Sequence, residues 1–212
     1  MSKQIFISGD AGKIEVLVDY PSQEIKGFAV VCHPHPLEGG TPQHKIPTLL
    51  AQTYLAHDCV VYRPSFRSSG QTEGHHDHGI GETEDILAVI AYARQQHQGL
   101  CFYAAGFSFG AHIIAKTHAR LPAELQAKQM ILCALPTATV ADSRHYVTPA
   151  IQGDILLIHG EEDRITTLQD LIQWAKPQRH SITILPGANH FFTGYLKVLR
   201  ITMSRFLSLH AD

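Results

Sequence analysis

The chain has 212 residues, of which 44% are hydrophobic and 17% are charged. That length suits one domain with a sizeable core. Lysine and arginine number 17 against 19 acidic residues, for a formal net charge of −2. This balance, without a basic cluster, argues against nucleic acid or an anionic membrane as the main partner, because both bind to a concentrated positive field.

The chain shows neither a membrane span nor a signal peptide. No apolar run approaches the roughly 20 residues that cross a bilayer, and the N-terminal residues lack an apolar signal region. We therefore expect a cytoplasmic protein. The four cysteines lie far apart in apolar segments, which predicts buried thiols rather than a disulfide framework or a Cys-x-x-Cys metal site. They are Cys32, Cys59, Cys101 and Cys133.

Short apolar runs rich in β-branched residues predict the strands. The first two are separated only by the turn Gly9–Gly12, which predicts an antiparallel hairpin at the start of the sheet. Several later runs are apolar without in–out alternation, as in parallel strands covered on both faces. In chain order the predicted strands are Ile5–Ser8, Ile14–Tyr20, Gly27–Cys32, Cys59–Arg63, Leu100–Ala105, Met130–Leu135, Asp154–His159 and Ser181–Leu185.

The intervening segments repeat their apolar residues at helical spacing. The alternation predicts an α/β fold, a mostly parallel sheet of about seven or eight strands with helices on both faces. In such a fold the ligand crevice lies beyond the carboxyl ends of the strands. The helices are predicted around Ile46–Thr53, around Ile86–Ala93, directly after Ser108, over about Thr166–Ala175, and from about Phe191 to Leu209 with Leu196, Leu199, Met203 and Phe206 on one face.

Ser108 lies in the pattern Gly-x-Ser-x-Gly, between a predicted strand and a predicted helix. A sharp turn from strand to helix exposes the serine Oγ, and the flanking Gly106 and Gly110 avoid clashes with neighbouring strands. The following helix also directs its N-terminal amides toward an oxyanion. We therefore predict Ser108 as a nucleophile, with an ordinary glycine-rich loop as the alternative.

A serine nucleophile needs a base, and the base needs an orienting acid. The last predicted strand leads into His190, which is the predicted general base. The strand before it leads into three acidic residues, of which Asp163 is the predicted orienting acid and Glu161 and Glu162 are the alternatives. Both groups arrive at the same edge of the sheet as Ser108.

The motifs GFSFG, GEEDRIT and GANHFF together resemble those of the α/β-hydrolase superfamily. Two further segments, HPHPLEGGT at 33–41 and DHGIGETED at 77–85, are similar to those of small lidless bacterial hydrolases of the dienelactone-hydrolase and short-chain-esterase kind. The resemblance covers most of the chain and implies a single α/β-hydrolase domain over residues 1–212. Ser68 stands where that group tends to have glycine, and Asn189 stands where aspartate is frequent.

An oxyanion hole needs two backbone N–H groups directed at the developing negative oxygen. One is expected from Phe109, the residue after the nucleophile. The other is expected from the loop after strand Gly27–Cys32, where the two prolines of the His-Pro-His-Pro segment have no N–H. His35 is the first choice for this second donor, and Leu37 is the alternative.

Fifteen histidines raise the question of a metal, with clusters at His33 and His35 and at His75–His78. Neighbouring residues rarely converge on one ion, so no metal site is predicted. The His75–His78 loop is expected to be a cleft wall or a solvated loop, with metal binding and substrate contact as alternatives. We expect His33 to be a buried, hydrogen-bonded histidine at a strand end.

The combined pattern predicts a serine hydrolase that cleaves small or short-acyl carboxylic esters through an acyl-enzyme, without a cofactor. Its partner would be a small-molecule ester. Residues 136–153 are too few for a lid domain, so we expect an open cleft. Arg67 and Arg144 are expected to face solvent, with a carboxylate contact as the alternative. The predicted cleft wall consists of Leu37, Phe66, Phe107, Tyr146 and Phe191.

Other functions remain open at the level of sequence. The same residues would serve a thioesterase, a lactonase or a peptidase. A fold of this kind can also be a binding scaffold without catalysis.

Overall fold

Eight strands run through the described residues of the computed structural model, which are 2–140 and 144–208. Every predicted strand is present, although the ends are shifted. The strands are β1 (Ser2–Gly9), β2 (Gly12–Asp19), β3 (Gly27–Cys32), β4 (Cys59–Pro64), β5 (Cys101–Phe107), β6 (Gln129–Cys133), β7 (Asp154–Gly160) and β8 (Ile182–Leu185).

The strands form one sheet in the order β1-β2-β4-β3-β5-β6-β7-β8. The predicted hairpin is confirmed, because β1 pairs antiparallel with β2, and β2 is also antiparallel to β4. All pairs from β4 across to β8 are parallel. The chain therefore reverses its direction of travel across the sheet between β3 and β5, and such a reversal opens a crevice at the carboxyl ends of the two strands.

Helices cover both faces of the sheet, as predicted. Side chains of β3 alternate, so that Phe28 and Val30 enter one core cluster and Ala29 and Val31 enter the other. Helices α2, α3 and α4 close the first cluster, and α1 and α5 close the second. Among the described residues the α-helices are α1 (Lys45–Leu55), α2 (Gly81–Gln96), α3 (Phe109–Arg120), α4 (Leu168–Ala175) and α5 (Leu196–Ser208).

The last helix begins later than its hydrophobic spacing predicted. Residues 186–195 form turns, and Phe192 has a φ of +50°, which no α-helix contains. The buried stripe of α5 is Leu199, Met203 and Leu207, whereas Phe206 is only partly buried. The predicted end of this helix, Leu209, lies outside the described residues.

The connection between β6 and β7 contains no α-helix in its described residues, 134–140 and 144–153, so the edge of the sheet above it carries no lid. No helix in the described part of the chain is long and apolar enough to cross a membrane.

Three of the four cysteines are buried as predicted, but Cys101 is exposed. Cys101 opens β5, and its partner residue on β3 is Gly27, which has no side chain to cover it. The expectation of a buried thiol was therefore wrong at this position.

Candidate active site

Ser108 lies in the turn between β5 and α3 with φ +55° and ψ −122°. Non-glycine residues rarely adopt this conformation, and it stores strain. The turn is tight because the first turn of α3 packs against the end of β3. A Cβ on Gly110 would lie 2.5 Å from the carbonyl oxygen of His33, and a Cβ on Gly106 would clash with the backbone of Gly110. Glycine at both positions thus permits the close approach that presents Ser108.

The Ser108 hydroxyl begins a chain of short contacts through two other elements. Its Oγ lies 3.1 Å from Nε2 of His190, and Nδ1 of His190 lies 2.7 Å from Oδ2 of Asp163. His190 follows β8 and Asp163 follows β7, and both side chains are buried. If Nδ1 donates its proton to Asp163, Nε2 presents a lone pair to the Ser108 hydroxyl. This is the geometry that proton removal from a serine requires.

The Asp163 carboxylate is held by donors on both of its oxygens. Oδ1 accepts the N–H groups of Ile165 and Thr166, each at 2.9 Å, and Oδ2 accepts the Thr166 hydroxyl at 2.8 Å. Burial raises the pKa of Asp163, but the contacts of His190 and Thr166 outweigh it and leave the pKa below its usual value. The carboxylate is therefore ionised at neutral pH.

Thr166 was missed as a site residue, because its spacing was interpreted as the start of a helix. The helix α4 begins only at Leu168, with Thr167 as its N-cap. A signal was present, since an aspartate followed three residues later by threonine is typical of a side-chain-closed turn. The structure thus makes Thr166 part of the Asp163 setting rather than of a helix.

The two glutamates that were alternatives to Asp163 do not reach His190. Glu161 and Glu162 are exposed. The Glu161 carboxylate accepts the N–H of Gly187 at 3.0 Å, which ties it to the turn that precedes His190.

The amide of Phe109 directly follows Ser108, and His35, in the loop after β3, lines the same cavity as Ser108. Neither N–H has a hydrogen-bond acceptor among the residues that the structure describes. The two side-chain rings are in contact, with centroids 5.0 Å apart. Leu37, the alternative donor, has a side chain that is 61% exposed. The choice between His35 and Leu37 as the second oxyanion donor stays a prediction.

A cavity of about 250 Å³ opens over Ser108 and His190. His35, Arg144 and Phe191 are among its lining residues. Nη1 of Arg144 lies 3.4 Å from Oε1 of Glu38, so an ion pair joins the loops on the two sides of the opening. A larger cavity of about 390 Å³ lies near Cys101 at the other end of the strands, and Ser108 is absent from its lining.

Most of the predicted cleft wall lies elsewhere. Phe191 lines the cavity, but Leu37 points to solvent, and Phe66, Phe107 and Tyr146 are buried. The ring centroids of Phe107 and His190 are 5.1 Å apart, so Phe107 packs against the His190 ring. Phe66 and Tyr146 belong to the first core cluster, and Phe107, at the end of β5, belongs to the second.

Two polar residues near the site have structural partners. His33 is fully buried, donates from Nδ1 to the Pro34 carbonyl at 2.7 Å, and accepts the Phe66 N–H at Nε2 at 2.9 Å. Burial lowers its pKa to about 3, so it stays neutral. Arg67 does not face solvent as expected, because it forms a bidentate ion pair with the buried Asp85, at 2.7 and 2.9 Å.

Only part of the His75–His78 loop lies against His35 and Phe109. His75 is exposed, whereas the side chain of His76 is 5% exposed and its ring lies 4.5 Å from that of His35. Ser68, at a position where glycine was expected, has φ +64°, and its Oγ accepts the N–H of His76 at 2.9 Å. The serine therefore adopts the conformation of the expected glycine and adds an anchor for the loop.

No protein-family model matches this chain. An uncharacterized protein of Rickettsia prowazekii (strain Madrid E) is 29% identical over 199 residues, which cover 89% of this chain and 82% of that protein. An α/β serine hydrolase without a lid from Xanthomonas campestris superposes with a TM-score of 0.86 at 29% identity, over 98% of this chain and 94% of its own. An α/β serine hydrolase homologue from Coxiella burnetii has a TM-score of 0.83 at 30% identity, over 96% of each chain.

Proposed function

The chain belongs to the α/β-hydrolase superfamily, with lidless serine hydrolases as its structural neighbours, and on that premise we propose that it hydrolyses small carboxylic esters through Ser108, His190 and Asp163. The strongest support is the unbroken line of contacts from Ser108 through His190 to Asp163 at the floor of the cavity. No other serine among the described residues has a histidine nitrogen and a carboxylate in such a line.

In the proposed reaction the Oγ of Ser108 attacks the ester carbonyl carbon while Nε2 of His190 takes the hydroxyl proton. The carbonyl oxygen becomes an oxyanion, for which the Phe109 and His35 amides are the proposed donors. Collapse of this intermediate breaks the bond to the alcohol, which leaves with the proton from His190. Water then attacks the acyl-enzyme, again with His190 as base, and frees the acid and Ser108.

Asp163 has the role of holding the His190 ring and stabilising its protonated form. Its lowered pKa supports this role, because the carboxylate stays charged at any pH at which His190 acts as a base. The donors Ile165 and Thr166 fix the carboxylate from the other side. The ring of His190 is thus held for proton transfer before a substrate binds.

The size of the cavity supports a small substrate. A volume of about 250 Å³ lies below the roughly 300–1,000 Å³ of typical pockets for drug-sized ligands. We expect an acetyl or butyryl group to fit and a longer acyl chain to extend into solvent without added contacts.

The first test is covalent labelling with a fluorophosphonate, followed by intact mass. Wild type should gain one adduct, because the probe reacts with an activated serine. Ser108→Ala should gain none, and the control Ser204→Ala, on helix α5, should label as wild type does. Absence of an adduct on folded wild type would contradict the proposed nucleophile and point to a binding scaffold.

The bond and the acyl length are tested with matched substrates. We expect 4-nitrophenyl acetate and butyrate to be hydrolysed with higher kcat/KM than the octanoate, and none of them by Ser108→Ala. A thioester of the same acyl group cleaved with a higher kcat/KM than its oxygen ester would make the protein a thioesterase instead.

A further inference from the structure

Three aromatic rings form a closed triangle behind the proposed oxyanion hole. The ring centroids of His35 and His76 are 4.5 Å apart, those of His35 and Phe109 are 5.0 Å apart, and those of His76 and Phe109 are 5.4 Å apart. Two of the three rings belong to the residues whose amides are the proposed donors. His76 therefore packs against both donors at once, although it comes from a loop far from both in sequence.

His76 is itself held by a buried carboxylate. Glu82, in the first turn of α2, is fully buried, and its Oε1 lies 2.9 Å from Nδ1 of His76, which is an ion-pair distance without the geometry of a hydrogen bond. The same carboxylate accepts the N–H of Asp77 at 2.9 Å and that of Gly79 at 2.8 Å. A single side chain thus fixes both the ring of His76 and the backbone that follows it.

The other end of the loop has a second anchor. The N–H of His76 donates to the Oγ of Ser68, in the strained turn after β4. His76 is thus held by its main chain on one side and by its side chain on the other. A buried carboxylate and a strained turn are costly, and both converge on this one histidine.

The ring contact between His35 and His76 is tolerated because His35 is neutral. Burial, with Arg144, His76 and His78 nearby, lowers the pKa of His35 to about 3. Nδ1 of His35 is buried without a hydrogen-bond partner among the described residues. Packing against His76 and Phe109 is therefore what orients this ring. The main chain of His35 lies between Pro34 and Pro36, and its carbonyl accepts the N–H groups of Glu38 and Gly40.

We propose that His76, held by Glu82, is a positioning residue that keeps the His35 and Phe109 amides in place for the oxyanion. This inference rests on the proposed esterase function. It assigns a role to His76 of the His75–His78 loop in which its side chain touches neither substrate nor Ser108. The loop acts through the two residues that do make the oxyanion contact.

The test compares His76→Ala, His76→Phe and Glu82→Gln with the control His75→Ala, the exposed neighbour. Each is assayed on an ester and on the matching thionoester, in which sulfur replaces the carbonyl oxygen. Sulfur accepts hydrogen bonds poorly, so the ester rate depends on the oxyanion hole far more than the thionoester rate. Rates are divided by the number of sites labelled by fluorophosphonate at completion, which removes any unfolded fraction.

We expect His76→Ala to lower kcat for the ester about 10- to 100-fold, with KM changed less than about threefold. This loss is smaller than the roughly 10²- to 10³-fold fall in kcat that follows removal of an entire oxyanion donor. The ester-to-thionoester rate ratio should fall about tenfold. His76→Phe keeps a ring, so its ester kcat and its rate ratio should fall less than those of His76→Ala. Glu82→Gln should shift the ratio in the same direction. The kcat and the ratio of His75→Ala should match those of wild type.

An unchanged ester-to-thionoester ratio in both His76→Ala and Glu82→Gln would overturn the proposal, because a purely structural defect lowers both rates equally. A wild type without Ser108-dependent esterase activity would instead contradict the proposed function.

Discussion

At the scale of single residues, the conformation of Ser108 and the donors around Asp163 have opposite energetic effects. The positive φ of Ser108 costs stability, on the order of 1–3 kcal/mol for a residue of this kind. Asp163 lies in a fully satisfied environment, with two N–H donors, one hydroxyl and the His190 ring. The strain accompanies the exposure of the proposed nucleophile Ser108, and the hydrogen bonds keep the Asp163 carboxylate charged.

The role of Asp163 is tested by Asp163→Asn, which keeps the size of the side chain but removes its charge. The asparagine amide cannot stabilise a protonated His190 ring, so kcat for 4-nitrophenyl acetate should fall about 10³- to 10⁴-fold. Steady-state kinetics would measure the loss, with the concentration of active sites taken from labelling by the fluorophosphonate.

The matched control for this variant is Glu162→Gln, an exposed acid one position away. Its kcat should stay within about twofold of wild type, because the side chain has no contact with His190. A larger loss in Glu162→Gln than in Asp163→Asn would contradict the assignment of Asp163 as the orienting acid.

At the scale of elements, the site depends on how closely α3 approaches β3. Gly110 is the point of contact, since its Cα faces the carbonyl groups of Cys32 and His33. The same approach brings the turn at Ser108 beside the loop that carries His35. A helix displaced from β3 would therefore separate the proposed donors of the oxyanion hole as well as loosen the core.

Gly110→Ala should lower the free energy of unfolding by about 3 kcal/mol, because the added methyl group meets backbone atoms that cannot rotate away. The comparison is Gly99→Ala, where φ is +78° but no atom lies within 4 Å of the added carbon. That variant should lose only about 1 kcal/mol of backbone strain. Urea unfolding followed by circular dichroism gives both values, and equal losses would contradict the close contact.

The loop after β4 shows the same dependence on neighbouring elements. Arg67 is held by Asp85 of α2, and a Cβ on Gly81 would overlap its guanidinium group. The start of α2 and the turn at Ser68 are thus fixed to each other. This connection places Glu82 under His76.

At the scale of the whole molecule, the fold buries several histidines in neutral form. For three of them, His33, His35 and His112, burial lowers the pKa to about 3. In the unfolded chain a histidine takes up its proton near pH 6.5. Between those values the unfolded state binds more protons than the folded state, so stability is complete above about pH 6.5 and is lost as the pH falls.

We therefore expect the free energy of unfolding to fall by about 4 kcal/mol per pH unit between pH 6 and pH 4.5, about 1.4 kcal/mol for each of these three histidines. Asp163 contributes little in this window, because its pKa is lowered and its stabilisation is lost only at more acidic pH. Urea unfolding at a series of pH values would measure the slope.

His112→Gln isolates one of these three groups. Nδ1 of His112 lies 2.6 Å from the Thr148 hydroxyl, and glutamine can keep a polar contact there without taking up a proton. The slope should decrease by about 1.4 kcal/mol per pH unit. The exposed His75→Gln should leave the slope unchanged, and an unchanged slope in His112→Gln would contradict the neutral burial of His112.

The sequence by itself determined the order of strands and helices along the chain. It also determined that Ser108, Asp163 and His190 come together. Each of these depends on local information, because a strand is a short apolar run and each of the three residues directly follows one. Parallel strands end at a common edge, so locating each residue after its strand was enough to predict that they meet.

The tertiary structure alone decided what surrounds those residues. Phe66, Phe107 and Tyr146 were expected at the cavity and lie in the core, Cys101 was expected in the core and is exposed, and Arg67 is buried against Asp85. Which side of a loop residue faces solvent depends on elements that pack against it from distant parts of the chain. His76 illustrates the same limit, since its contacts with His35, Phe109 and Glu82 join four segments that only the folded chain brings together.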